Sequence, residues 1–308
     1  MAGVLPANTQ KAARSVFRIA AMGARAARAL RDSGQGEVSA VFERSFYVVI
    51  GGQWVCLVPR GGGLGPLNAQ CAEGSLAEAI KSPLRVGDKA LCENNSLRIG
   101  ALTFSFDGAA TWKPDEPGRR DRRTVTQGLD HLRQTIASRE LPKEGLAEFL
   151  QAGFIPSTTV AKAAQEPLQN LRVLLRLAIG DSETKIDSLL PLIGLGPGLT
   201  PSGDDVIGGA LIVLHLLGED RARDALWAAL RPHAKTATGD ISFAHLEAAA
   251  EGLGHEAMHR IGNALMSGDD NLREKLDAVH AIGHTSGWDA LVGIVAALEA
   301  WLSVQARR

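Results

Sequence analysis

Cysteine is scarce in this chain and odd in number: Cys56, Cys71 and Cys92 are the only three, with no C-x-x-C spacing. That argues against a disulfide scaffold or a zinc ribbon and fits reduced thiols in a cytoplasm. An excess of charge of one sign is also lacking. With 33 basic and 34 acidic residues the net charge is −1, so no general attraction to nucleic acid or to an anionic membrane is implied. No contiguous apolar run is long enough to span a membrane; the best candidate, Val206–Leu217, holds two glycines and a histidine. Residues 9–31 contain six basic residues and no acid, but Arg14, Arg18, Arg25 and Arg28 interrupt the apolar core that a secretory signal needs.

What is present supports an α+β protein. At 308 residues and 45% apolar, the chain can bury a sizeable core and form two domains. On a helical wheel Ala12, Val16, Ile19, Ala20, Gly23, Ala27 and Leu30 share one face of residues 9–31, and Lys11 and the arginines share the other, which predicts a packed helix. From Gly36 to Trp112 the pattern is β-rich. Two runs break at Gly51-Gly52 as a hairpin does, and short strands are expected at 89–91, 97–99 and 102–106, in a small antiparallel sheet or barrel. The charged, proline-bearing stretch Lys113–Arg123 marks the boundary, giving a β-rich domain over 1–118 and a helical domain over 119–308. Helices are expected at 125–137, 143–152, 158–179, 204–217, 221–230, 242–252, 255–266, 271–282 and 288–304.

Ordinary packing does not account for Ile193–Gly209, I-G-L-G-P-G-L-T-P-S-G-D-D-V-I-G-G, with six glycines and two prolines. Gly194, Gly196, Gly198 and Gly203 let the backbone come close to a ligand, Thr200 and Ser202 supply hydroxyls, and Asp204 and Asp205 fall in the first turn of an apolar helix. The N–H groups and dipole of such a helix start suit a phosphate or carboxylate, whereas the two carboxylates suit a cation such as Mg²⁺. A second segment, Gly283-His284-Thr285-Ser286-Gly287-Trp288-Asp289, opens another apolar helix in the same way. Two such starts can converge on one small anionic substrate. His284 is then the candidate for acid/base work or for gripping a phosphoryl oxygen, and Asp204, Asp205 and Asp289 are candidates for orienting donors or holding a metal. The plainer reading is that both segments merely cap buried helices.

The long glycine-rich motif together with G-H-T-S-G-W-D resembles the AllH-like family, associated with a subunit of oxamate carbamoyltransferase. The resemblance implies a part in carbamoyl transfer between oxamate and phosphate, in purine or allantoin degradation, within a multi-subunit enzyme. Thr285, Ser286, Gly283 and Gly287 would then help hold substrate beside the first loop. Ser242, in the hydroxyl-rich helix start Thr236–Ser242, is a weaker binding candidate. Two other functions fit the same residues: a Mg²⁺- or Mn²⁺-dependent hydrolase using Asp204, Asp205 and Asp289, and a non-catalytic binding or assembly subunit.

Two further motifs compete for attention. Arg60–Pro66 is either another anion loop or a long hairpin connection. His255-Glu256-Ala257-Met258-His259 matches the zinc-protease pattern, but Leu265 stands where its extended form needs a third ligand. The wheel puts both histidines opposite the apolar face, on a solvated surface.

Overall fold

The computed structural model describes residues 15–61, 63–72, 76–77, 80, 84–115, 120–180, 185–269 and 271–306. The chain divides into two compact units, one of Met1–Gly61 with Leu67–Trp112, the other of Gly62–Pro66 with Lys113–Arg308.

The first unit begins with strand β1 (Ser15–Gly23) and helix α1 (Ala24–Arg31). The expected single helix over 9–31 is thus corrected, and Lys11, Ala12 and Arg14 lie outside the described residues. Residues 16–19 alternate: Phe17 and Ile19 are buried while Val16 is 68% exposed, a period of two that belongs to a strand. The apolar spacing read as a helical face came from combining this strand with the helix after Gly23. Strands β2 (Gly34–Val41), β3 (Phe46–Ile50), β4 (Gln53–Val58), β5 (Asn68–Cys71), β6 (Lys89–Glu93), β7 (Ser96–Ile99), β8 (Leu102–Ser105) and β9 (Ala110–Trp112) follow. Their order is β5-β4-β3-β2-β6-β7-β8-β1-β9, and a β5–β1 pairing closes the first eight into a barrel. Gly51 and Gly52 turn the β3–β4 hairpin at positive φ, as the sequence predicts. The three cysteines are free and buried here, and burial pushes the Cys56 and Cys71 thiols up to about 12.

The second unit is helical: α2 (Arg122–Ala137), α3 (Thr159–Ile179), α4 (Ser202–Leu217), α5 (Asp220–Ala237), α6 (Asp240–Ala250), α7 (Glu256–Ser267), α8 (Leu272–His280) and α9 (Ser286–Gln305). The helix expected over 143–152 is only a 3₁₀ turn, Ala147–Leu150, flanked by Gly145 and Gly153 at positive φ. The helix expected to stop at Leu230 instead runs through Pro232 to Ala237. At the centre α9 packs against α4 and α3, and it is buried on nearly every side. By length and mean composition α9 is apolar enough to cross a membrane, although Asp289 and Glu299 interrupt it; its most apolar window is 78% buried, so that apolarity is used within the helical core.

Candidate functional site

The first glycine-rich loop is held by its own helix. Asp204 is 2% exposed, and its Oδ1 accepts the Gly194 N–H at 2.8 Å. Its Oδ2 accepts from Ser242 Oγ at 2.6 Å and from the Thr238 hydroxyl. The run of α5 past Pro232 is what delivers Thr238. Gly194 lies at φ +72°, and a Cβ there would strike the Ala237 carbonyl. A Cβ on Gly203 would overlap the Leu192 carbonyl, and the Gly203 N–H donates to Leu195 O at 2.9 Å. Gly194 and Gly203 therefore serve close packing inside the unit. Gly196, at φ +113°, has Ser202 N at 2.9 Å from where a Cβ would stand, while Gly198 is exposed with open space around it.

The second start is built alike. Thr285 precedes α9 at the N-cap, and a Cβ on Gly287 would overlap the Val279 carbonyl. Gly283 takes φ +57° beside Ser286 Oγ. Asp289 is fully buried, with its Oδ1 accepting the Leu146 N–H at 2.6 Å. Gly145, at φ +75°, backs directly onto this carboxyl: a Cβ there would stand 2.7 Å from Asp289 Oδ1. His284 is placed differently, at 81% side-chain exposure, with Nε2 3.1 Å from Glu144 Oε2. The structure leaves it at the solvent edge.

The two starts meet. Thr200 Oγ1 and Ser286 Oγ are 3.0 Å apart. Ser202-Gly203-x-Asp205 and Ser286-Gly287-x-Asp289 have the same spacing, and each aspartate interacts with the serine that opens the other helix: Asp205 with Ser286, Asp289 with Ser202. Four residues further on the reciprocity continues. A Cβ on Gly209 would overlap the Ala290 carbonyl, and one on Gly293 would overlap the Val206 carbonyl, so only glycine lets the backbones cross this closely. The helices form a pseudo-twofold pair with the carboxyls of Asp205 and Asp289 between them.

These carboxyls are far from ordinary. Burial pushes Asp205 well above the usual carboxylate range; Ser286 and Thr200 hydroxyls pull against the shift, and the charges of Asp289 and Asp204 add to it. Burial raises Asp289 as well, opposed by Ser202, the Leu146 N–H and Thr285. Asp205 as a residue is only half-buried, but its Oδ2 is sealed from solvent, as is Asp289 Oδ2, and neither atom has a hydrogen-bond partner among the described residues. Among the described residues no three His, Cys, Asp or Glu side chains are grouped as metal ligands, and Asp204 already has both oxygens bonded.

The protease-like motif resolves differently from expectation. His259 is buried, not solvated: its Nε2 accepts the Gly254 N–H at 2.9 Å, and burial lowers its pKa to about 4, with His215 and His255 adding to the shift. His255 caps α7, accepting the Ala257 N–H at 3.2 Å, and Glu256 pairs with Arg260. Gly62 of the Arg60–Pro66 loop lies outside the described residues. The rest of that loop meets the start of α7, where Leu64 O accepts the Glu256 N–H at 2.8 Å and Gly63 lies against the His255 ring. Sequence reasoning missed Gly145 and Leu146, which carry no local signal, and passed over Thr238, which stood in view beside Ser242.

The family model described as oxamate carbamoyltransferase subunit AllH matches residues 192–298, the stretch that holds both helix starts. The likeness read from the glycine-rich motif therefore holds over this part of the helical unit. No solved structure gives a significant match to the chain.

Proposed function

We propose that this chain is a subunit of an oxamate carbamoyltransferase-like enzyme and that the paired starts of α4 and α9 take part in carbamoyl transfer between carbamoyl-oxamate and phosphate. The family match over residues 192–298 supports this reaction class. The observation that carries the site is the Asp205–Asp289 carboxyl pair between two helix N-termini, because it joins carboxyls that burial shifts toward their protonated form to ends that favour anions.

Phosphorolysis forms a C–O bond between phosphate and the carbamoyl carbon and breaks the C–N bond to oxamate. The departing nitrogen needs a proton and phosphate gives one up. In this reading Asp205, kept protonated by burial, gives its proton to that nitrogen, and Asp289 takes the proton that phosphate loses, so the pair ends with the one proton it began with. The Gly196–Thr200 stretch, exposed at 197–199, and the α9 start hold the phosphate and the carboxylate of oxamate, with His284 gripping a phosphoryl oxygen from the solvent side. Asp204 is a positioning residue, fixing the loop through Gly194, Thr238 and Ser242. Other subunits complete the enzyme, and the unpaired thiols support a cytoplasmic setting.

The test is carbamoyl phosphate formation from carbamoyl-oxamate and phosphate, with and without the partner subunits. Turnover is expected in the assembled enzyme, and Asp205→Asn should lower kcat at least about 100-fold by removing the acid. Full turnover by that variant would defeat the assignment of Asp205. No turnover in the assembled enzyme would remove this reaction.

A further inference from the structure

The two carboxyls between the paired starts are not held alike. Asp205 meets the hydroxyls of Ser286 and Thr200, which lie 3.0 Å from each other. A hydroxyl can donate to a carboxylate or turn and accept from a carboxylic acid, so these partners accommodate Asp205 in either form. Asp289 has hydroxyl partners too, Ser202 and Thr285, but its Oδ1 also takes the Leu146 N–H at 2.6 Å. An amide N–H only donates, and it donates most strongly to an ionised oxygen. Among the described residues Asp205 has no such main-chain donor. Burial by itself would not make this choice, since Asp289 is fully buried and Asp205 half-buried as a residue. The segment is shaped for the contact. Gly145, at φ +75°, would with a Cβ stand 2.7 Å from Asp289 Oδ1 and 2.8 Å from Thr285 Cβ, so only glycine lets the chain pass here. The 3₁₀ turn Ala147–Leu150 follows at once and anchors the segment in the helical core, with Phe149 edge-on to Phe154 at 4.4 Å between ring centroids.

We infer that the Leu146 N–H, carried in by Gly145, is the positioning group that breaks the equivalence of the two carboxyls, holding Asp289 as the carboxylate and leaving the pair's proton on Asp205. The roles of base and acid rest on the carbamoyl-transfer reading; the order in which the two carboxyls ionise rests on the geometry. A pair related by a pseudo-twofold would otherwise share its proton evenly and serve poorly as one acid and one base. The charged groups around the pair are Asp204 on α4 and the Glu144–His284 pair at the solvent edge. Among the described residues the other helices packed on α9 add no charge to the shift of either carboxyl. The main-chain donor is therefore the feature that distinguishes one carboxyl from the other.

The experiment is a pH titration of the full chain by carbon-13 NMR, with the aspartate side-chain carboxyls labelled and the two signals assigned through Asp205→Asn and Asp289→Asn. Asp289 is expected to ionise at a lower pH than Asp205. Replacing Leu146 by its α-hydroxy acid turns the 145–146 amide into an ester, which deletes the N–H and keeps the side chain. The Asp289 midpoint should then rise by about one to two pH units. Gly145→Ala, which pushes the N–H away from the carboxyl, should raise it as well. In the assembled enzyme the acid limb of the kcat profile should move up with the Asp289 midpoint while KM stays nearly constant. A wild-type Asp289 midpoint at or above that of Asp205, or one that the ester leaves in place, would overturn the proposal. The wild-type order decides the matter even if neither variant folds. The expected order and shift in a complex that makes no carbamoyl phosphate would sink the reaction alone; turnover with an Asp289 midpoint indifferent to the ester would sink the Leu146 role alone.

Discussion

The starts of α4 and α9 are alike where they face each other and unlike where they face away. Both carry S-G-x-D followed four residues later by glycine, and both present serine and aspartate across the pseudo-twofold. They part at the third position, which is Asp204 in one and Trp288 in the other. Asp204 is tied by hydrogen bonds to Gly194, Thr238 and Ser242. Trp288 is tied by its Nε1–H to His280 Nδ1 at 3.1 Å and by the Arg139 guanidinium 5.5 Å over its ring. The shared residues make the common centre. The unshared ones anchor each start to its own neighbours, one by a polar clamp and the other by an aromatic clamp.

The crossing is the place to break this equivalence first. Gly293→Val and Gly209→Val should each cost at least about 3 kcal/mol or abolish folding, read as a fall in the urea midpoint, because each side chain would enter the opposite helix's carbonyl. A crossing that tolerates one and not the other would not be twofold in its energetics. The anchors come next. Trp288→Ala should cost about 4 kcal/mol through lost packing, and Asp204→Ala about 3 kcal/mol by stranding two hydroxyls and an N–H. If the clamps are independent, the double variant should show the sum of the two losses.

The carboxyl pair gives a pH signature. Folding raises Asp205 and Asp289 above the ordinary aspartate value of 3.8, so above that pH the native chain holds more protons than the unfolded one. Their contribution is fully present below 3.8 and is lost as pH rises through the raised values. Urea midpoints of the wild type and Asp205→Asn, followed from about pH 4 to about pH 8, should converge at the acid end and separate toward neutrality, with the variant the more stable. Parallel curves would mean that Asp205 is not held protonated. The smallest effect belongs to the shared hydroxyls: Thr200→Val should lower stability by about 1 kcal/mol, readable as a shift in the urea midpoint.

Much of this comparison was legible in the chain. The repeated small residue, hydroxyl and acid at the head of an apolar helix identified both starts, since each feature is local. The anchors were not legible: Gly145 and Leu146 reach Asp289 across more than 140 residues, and nothing near them announces it. Thr238 stood in view beside Ser242, but the helix expected to end at Leu230 gave no hint that it runs on through Pro232 to deliver that hydroxyl to Asp204. The glycines misled in part, because Gly194, Gly203, Gly209 and Gly293 answer to carbonyls of the protein itself, a demand that sequence cannot separate from a ligand's. The wheel over 9–31 joined Val16, Ile19, Ala20 and Gly23 of β1 to Ala27 and Leu30 of α1, because strand and helix run on without a break in composition.

The short segment Gly62–Pro66 makes the two units inseparable at the level of the gene. Both units are discontinuous in sequence, so no single cut yields either one whole. A fragment starting at Lys113 would lose Leu64 O as acceptor for the Glu256 N–H and would uncover the His255 ring that Gly63 abuts. Domain shuffling, which moves modules by joining linkers end to end, cannot transplant this helical unit in one exchange. A chain that carried this helical unit without the loop between β4 and β5 would need another acceptor for the Glu256 N–H and another cover for the His255 ring.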